Sequence, residues 1–245
     1  MSRKNILSLL LGLMLSQSIS AADFHLVTEN FPPLNMTSNG TSYARNDRVS
    51  GFATDIMRNL FKENGYKVRF TLMSDWDKAY NTAVNETSTG VYSTFRTPER
   101  EEHFKWVGPL YEEDWVLLST SDQEIQIDTL AELHNYKVGS FVFDGITDYL
   151  VEQGVKIEPA KNDAVNVVRL KLGEIQFWAS SSLTAPYVAA NFKVPVKPVH
   201  TFNRSSLWLA MNKDTDQKVI DQLNKTLEKM RASGEIQNMI ESYNI

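Results

Sequence analysis

The sequence predicts an α/β protein made of two layered lobes. Three observations predict it. Segments with strand and helix periodicity alternate from Phe24 to Ser93, the same alternation resumes from Trp115 to Asn191, and no Gly/Ser linker separates the two series.

The elements follow in chain order. Phe24 to Thr28 reads as a short strand, stopped at Asn30-Phe31-Pro32-Pro33 because two prolines cannot extend a ladder. Asn39-Gly40 and the polar run to Ser50 predict an exposed turn or hairpin. Phe52, Ile56, Met57, Leu60 and Phe61 recur at helical spacing until Asn64-Gly65, a C-terminal stop. Lys67 to Leu72 alternates as a strand. Ser74 or Asp75 then caps a helix carrying Trp76, Ala79, Tyr80 and Ala83, and Gly90 to Ser93 is the next strand. Strand, helix, strand, helix, strand predicts a parallel layer with right-handed crossovers.

In the second series, strands are expected at Trp115 to Ser119, Lys137 to Val142 and Gln176 to Ala179. Helices are expected at Thr129 to His134, Gly145 to Gln153, Ala164 to Leu172 and Leu183 to Asn191. Leu207 to Met211 is one more strand, and Val219, Ile220, Leu223, Leu227 and Met230 mark a long helix before Gly234. Two such layers, joined by extended crossings, are expected to face each other across a ligand-binding cleft.

The first residues set the expected compartment. Arg3 and Lys4 precede the apolar run Ile6 to Leu15, and Ser20-Ala21-Ala22 offers small residues for cleavage, so residues 1–22 read as a secretory signal peptide. The run is too short to span a bilayer. The chain has no Cys, hence no lipoprotein anchor point, and a chain exported without disulfides must be large enough to build its own core. The Asn-x-Ser/Thr tripeptides at Asn35, Asn39, Asn85, Asn203 and Asn224 also fit a glycosylated eukaryotic chain, but such tripeptides arise by chance in this composition, and a Gram-negative periplasm is the reading favoured. The net charge of -5 becomes two units more negative once Arg3 and Lys4 are removed, which gives no footprint for nucleic acid or an anionic membrane. His25, His103, His134 and His200 show no metal-ligand spacing, and no cofactor is expected.

The chemistry concentrates between Tyr92 and Tyr111, where Arg96 and Arg100 occupy a polar turn after an apolar run. Thr97 suits the N-cap and Pro98 the first position of a helix. Free N–H groups at such an end attract anions, and Arg100 in the first turn can grip a carboxylate with two hydrogen bonds while Ser93 or Thr97 adds a hydroxyl. The alternative is a solvated turn in which Arg100 pairs with Glu101 or Glu102.

These residues resemble the bacterial extracellular solute-binding proteins of the polar amino-acid type. The resemblance rests on Gly51-Phe-Ala-Thr-Asp-Ile56, Ser93-x-x-x-Thr-Pro-Glu-Arg100, Lys105-Trp-Val-Gly-Pro-Leu-Tyr111, Tyr136-Lys-Val-Gly139, Leu207-Trp-Leu-Ala-Met-Asn-Lys213 and Met230-Arg-Ala-Ser-Gly-Glu-Ile236. Each piece is weak singly; together, in the family's order, they cover nearly the whole chain after residue 22. The resemblance implies a type II periplasmic-binding-protein fold, a Venus flytrap with lobe I at 23–113 plus 204–245 and lobe II at 114–203, each a mostly parallel sheet flanked by helices. It implies that Arg100 holds a ligand carboxylate, that Phe31 and Trp76 flank the ligand, and that Asp144 and Gly145 occupy the second-lobe turn where the family usually has small hydroxyl residues. Trp76 reads equally as a core residue. Where the family places an acidic residue for an α-ammonium, this chain has Ser181, which cannot neutralise a charge; Glu29 or Asp144 is left to supply it. Phe95 replaces a small residue and Arg96 has no close counterpart; an outward ion pair is the plainer reading for Arg96.

The function implied is a monomeric periplasmic protein that captures a small polar solute, a carboxylate or an amino acid or amine read by Glu29, for an ABC permease. Two other classes stand beside it. One is a dehydratase-like enzyme on the same scaffold, with Glu29, Asp144 or His103 as acid and base; the other is a sensor that reports its occupancy to a membrane receptor.

Overall fold

A computed structural model describes residues 23–37, 41–142 and 144–243. The signal-peptide segment and the Asn39-Gly40 turn lie outside the described residues.

The chain runs β1 (Asp23–Glu29), β2 (Met36–Thr37), β3 (Ala44–Arg45), β4 (Val49–Ser50), α1 (Phe52–Glu63), β5 (Lys67–Met73), α2 (Trp76–Asn85), β6 (Thr89–Phe95) and the single turn α3 (Pro98–Glu101). It continues with β7 (Phe104–Thr120), β8 (Val138–Phe141), α4 (Gly145–Glu152), β9 (Ile157–Ala160), α5 (Asp163–Lys171), β10 (Phe177–Ser181) and α6 (Thr184–Asn191). It ends with β11 (Val196–Asn212), α7 (Gln217–Ala232) and α8 (Glu235–Glu241).

One sheet of nine strands, in the order β3-β5-β1-β6-β11-β7-β10-β8-β9, runs through the molecule. β1 pairs in parallel with β5 and β6, and β8 in parallel with β9 and β10, as the alternating pattern requires. Between these parallel ends β7 and β11 pair antiparallel along most of their length. These two strands are the main departure from expectation. The predicted strands at 115–119 and 207–211 are only parts of two 17-residue strands. Gly108-Pro109 and the charged run Glu112-Glu113-Asp114 in β7, and the polar run Thr201 to Ser206 in β11, hide them by breaking apolar alternation. The ladder absorbs Gly108-Pro109 as an irregularity between Leu207 and Leu209. There Gly108 has φ 148° and a Cβ would lie 2.6 Å from the Trp208 ring, so only glycine fits.

β9 and α8 were not legible as elements. β9 is half-exposed at the outer edge of the sheet, the place where its Pro159 costs no ladder bond. The expected helix at 129–134 is a 3-10 segment, Leu130–Asn135, with Thr129 and Glu132 forming a capping box.

Buried side chains gather at the two ends of the sheet. At one end Phe52, Ile56 and Phe61 of α1 pack with Tyr92, Leu209 and Leu223, while Val27, Ala79, Ala83 and Ala210 fill the other face. At the far end Trp115 and Leu117 point into a cluster with Val138, Ile146 and Phe177, and Val116 and Leu118 into one with Val167, Trp178 and Ala185. That two-residue alternation on a strand apolar on both faces is what a helix-covered sheet demands.

Candidate functional site

The cleft lies where the parallel ends meet β7 and β11, in a cavity of about 540 Å³. Ser93 is at its base. The β6–β11 register slips between Trp208 and Leu209, leaving Ser93 as the extra residue of a bulge with φ 60°. A non-glycine residue held there is strained backbone at a cavity wall. Tyr111 Oη donates to its hydroxyl at 3.1 Å.

Arg100 reaches the same wall. Thr97 does occupy the N-cap with Pro98 at the first helical position, but the Thr97 hydroxyl makes no cap bond and α3 is four residues long, so little helix dipole acts here. The anion chemistry rests on the guanidinium itself. Arg100 Nη1 donates to Thr94 Oγ1 at 2.8 Å and to the Phe95 carbonyl at 3.0 Å, and its Cζ sits 5.2 Å from the Trp76 ring centroid and 5.6 Å from that of Tyr80. Among the described residues it forms no ion pair, so the alternative of a turn paired with Glu101 or Glu102 does not hold. Glu101 belongs to Arg96, which grips both its oxygens and stacks between Trp106 and Trp208. Burial holds the Arg100 pKa below its ordinary value, with Tyr80, Glu99 and Asp148 opposing.

Glu29 ends β1, and Phe31 follows in the turn that Asn35 closes back onto the Phe31 N–H. Both line the cavity with Trp76, the first residue of α2, whose ring is half-buried and also packs against the cluster around Val27. Trp76 is thus wall and core together. Burial first, then Asp75 and Asp77, push the Glu29 carboxyl up to about 7.

From the opposite side comes the N-terminus of α4. Asp144 caps it, accepting from the Ile146 N–H at 3.4 Å, and Gly145 approaches so close that a Cβ would meet the Phe95 ring at 3.1 Å. Phe95 packs edge-on to Trp115 at 5.4 Å and touches buried clusters at both ends of the sheet. Asp148 and Glu152 continue the Asp144 face at four-residue spacing and also line the cavity. The stripe is legible in the sequence as Asp144, Asp148 and Glu152 along the expected helix. The Asp144 carboxyl is raised well above the ordinary range, by burial and then by Asp163 and Glu113.

Of the residues expected to bind ligand, Ser181 alone lies outside the cavity wall. It is 1% exposed, and its Oγ accepts from the N–H groups of Leu183 and Thr184 at 3.1 and 3.3 Å, so the hydroxyl serves the entry to α6. Glu113, two residues before Trp115 on the same buried face of β7, is the carboxylate near it.

Residues 26–244 match the family described as bacterial extracellular solute-binding proteins, family 3. The chain belongs to that family. No curated protein shows significant sequence similarity to it. Solved structures share its fold. An ancestral arginine-binding protein bound to arginine has a TM-score of 0.72 at 24% identity, over 91% of this chain and 98% of that one. The ancestral amino acid-binding protein AncCDT-1, a precursor of cyclohexadienyl dehydratase, has 0.72 at 22%, over 91% and 95%. A histidine kinase sensor domain similar to periplasmic binding proteins has 0.75 at 14%, over 91% and 96%.

Proposed function

We propose that this family member captures an amino acid with a cationic side chain, or a closely similar carboxylate-bearing cation, and delivers it in the periplasm to an ABC permease. The observation that carries the reading is the division of charge in one cavity. Among the described residues Arg100 is a guanidinium without an ion-pair partner, beside Arg96, which Glu101 neutralises, and Glu29, Glu99, Asp144, Asp148 and Glu152 line the same cavity. A ligand carboxylate completes the donor set of Arg100, with Ser93 and Thr97 beside it, and a ligand cation offsets the acidic side. Phe31 and Trp76 cover its apolar stem. The arginine-binding and amino acid-binding proteins of the same fold support this ligand class.

The lobes are 23–113 with 204–245, and 114–203, closing about β7 and β11 as a monomer. Support comes from the buried clusters, which divide the same way, and from contacts that cross between them: Phe95 against Gly145, Leu183 on the larger cluster, and Tyr187 Oη donating to Met36 Sδ at 3.4 Å. Hinge closure converts differential ligand affinity into a population shift. Of the acid–base candidates His103 is exposed and outside the cavity wall, whereas Glu29 and Asp144 line it, so a turnover assay on each bound ligand separates capture from a dehydratase-like reaction.

A thermal-unfolding screen of residues 23 to 245 against amino acids, amines and carboxylates tests the reading. A true ligand at about a thousand times its Kd adds roughly 4 kcal/mol, and the shift is about 2–4 °C per kcal/mol at this size. The expected hits are L-arginine and L-lysine. Tight generic binding of neutral L-amino acids, or a hit on plain dicarboxylates alone, overturns it.

A further inference from the structure

On and behind the cavity wall sit three carboxylates, Asp144 on it and Glu113 and Asp163 behind, that pair with no cation among the described residues. Glu113 is 2% exposed; its Oε1 accepts from the Trp115 indole N–H at 3.2 Å and its Oε2 has no hydrogen-bond partner. Asp163, the first residue of α5, accepts from Trp178 Nε1 at 2.7 Å and Ser180 Oγ at 3.5 Å. Asp144 lines the cavity and feels the charge of both. No described Lys, Arg or His forms an ion pair with any of the three, and they are not arranged to hold a metal ion.

Every charged or titratable group that bears on them is acidic. β7 presents Asp114, itself paired with Arg204; β1 presents Glu29; β10 and α5 present only the neutral Trp178, Ser180, Ser181 and Asn166. Burial, the largest cause in each, pushes Glu113 up to about 7 and Asp163 up to about 6, and the like charges add to it for Glu113. Glu113 is fully buried and Asp144 and Asp163 are half-buried, and like charges so placed disfavour one another's ionisation.

Resting on the cation-binding reading of the cavity, we infer that Glu113, Asp144 and Asp163 form one acidic unit that exchanges a proton for the ligand's positive charge. Glu113 is the positioning residue of that exchange, acting through Trp115 and Asp144, both of which line the cavity. In the empty site the unit keeps a proton near neutral pH. A cation seated beside Asp144 favours the fully ionised form, and the proton leaves to solvent. Capture is then weaker in acid and strengthens as pH rises through the range where the unit titrates. Below that range one exchanged proton weakens affinity by up to about tenfold per pH unit.

Two measurements decide it. The first needs no ligand: the Trp115 indole N–H resonance, assigned with W115F, is followed from about pH 5 to about pH 9. A step with a midpoint near 7 is expected in the wild type and is lost in E113Q, which keeps the acceptor for Trp115. A flat wild-type resonance overturns the proton-holding unit, however well E113Q folds. The second is calorimetry of L-arginine in two buffers of different ionisation heat, near pH 7 and below it. Release of up to one proton, diminished in E113Q, is expected. L-arginine binding with no proton released and a pH-independent Kd overturns the exchange. No binding of L-arginine at any pH removes the cavity reading and the exchange with it, while the indole step still reports the acidic unit.

Discussion

Arg96 and Arg100 are four residues apart, and each stacks on two aromatic rings. Arg96 has both oxygens of Glu101; among the described residues Arg100 has only neutral acceptors, Thr94 Oγ1 and the Phe95 carbonyl. On the proposed reading, the pair teaches that a guanidinium becomes a ligand group through what is withheld from it. Rings and neutral oxygens fix its orientation, and the missing carboxylate leaves a charge-assisted bond to be made by the ligand.

The sharpest way to break that comparison is to truncate each arginine. R100A is expected to lower affinity for L-arginine by at least about a hundredfold, roughly 3 kcal/mol, because a buried charge pair loses one partner. R96A is expected to leave Kd within a few-fold and to cost about 1 kcal/mol of stability, from an exposed ion pair and two ring contacts. Calorimetry and thermal unfolding of both variants are the check. Equal losses of affinity from the two would erase the distinction.

The carboxylates extend the contrast, since Glu113 and Asp163 too lack an ion-pair partner among the described residues, but behind the wall rather than on it. A carboxyl whose pKa is raised on folding contributes stability below its unfolded value, about 4.5 for glutamate, and loses it as pH rises through the folded value. For Glu113 that window runs from about 4.5 to about 7. The unliganded protein should therefore unfold at a lower temperature near pH 8 than near pH 5.5. E113Q should recover on the order of 3 kcal/mol at the higher pH and about 1 kcal/mol at the lower. A variant no more stable than wild type near pH 8 would mean that Glu113 is ionised without cost.

A smaller effect is expected on the cavity wall itself. Glu29 has a carboxyl near 7, so it is neutral in mild acid and charged above neutrality. E29Q should weaken L-arginine binding by about tenfold near pH 8 and hardly at all near pH 5.5. The same loss at both pH values would assign Glu29 a hydrogen-bonding rather than a charge role.

How far this was legible in the sequence depends on the range of the interaction. Helices declared themselves through local periodicity, as in Phe52, Ile56 and Leu60, and short strands through their stops. β7 and β11 did not, because their pairing partner, not their own pattern, makes them strands across Gly108-Pro109 and Thr201 to Ser206. At the site, Arg100 and Phe31 were reachable from local motif and resemblance. Glu113 was not: inside Glu112-Glu113-Asp114 it reads as one of three solvated acids. Only the two-residue alternation of a long strand, with Tyr111, Glu113 and Trp115 inward, shows which of the three is buried. Ser181 shows the converse, since a residue placed by resemblance is used by the backbone of α6.

The mildest test concerns Asp148, exposed on α4 and near enough to Arg100 to bear on its charge. A solvated carboxylate at that distance acts through water and salt, so D148N should lower affinity for a cationic ligand by only about two- to threefold at low ionic strength. The effect should fade as salt shortens the Debye length to roughly 3–5 Å. A buried contact would not fade in that way, so a salt-independent loss in D148N would move Asp148 from the exposed rim of the cavity into direct contact with the ligand. The acidic face of α4 would then bind along its length rather than only at Asp144.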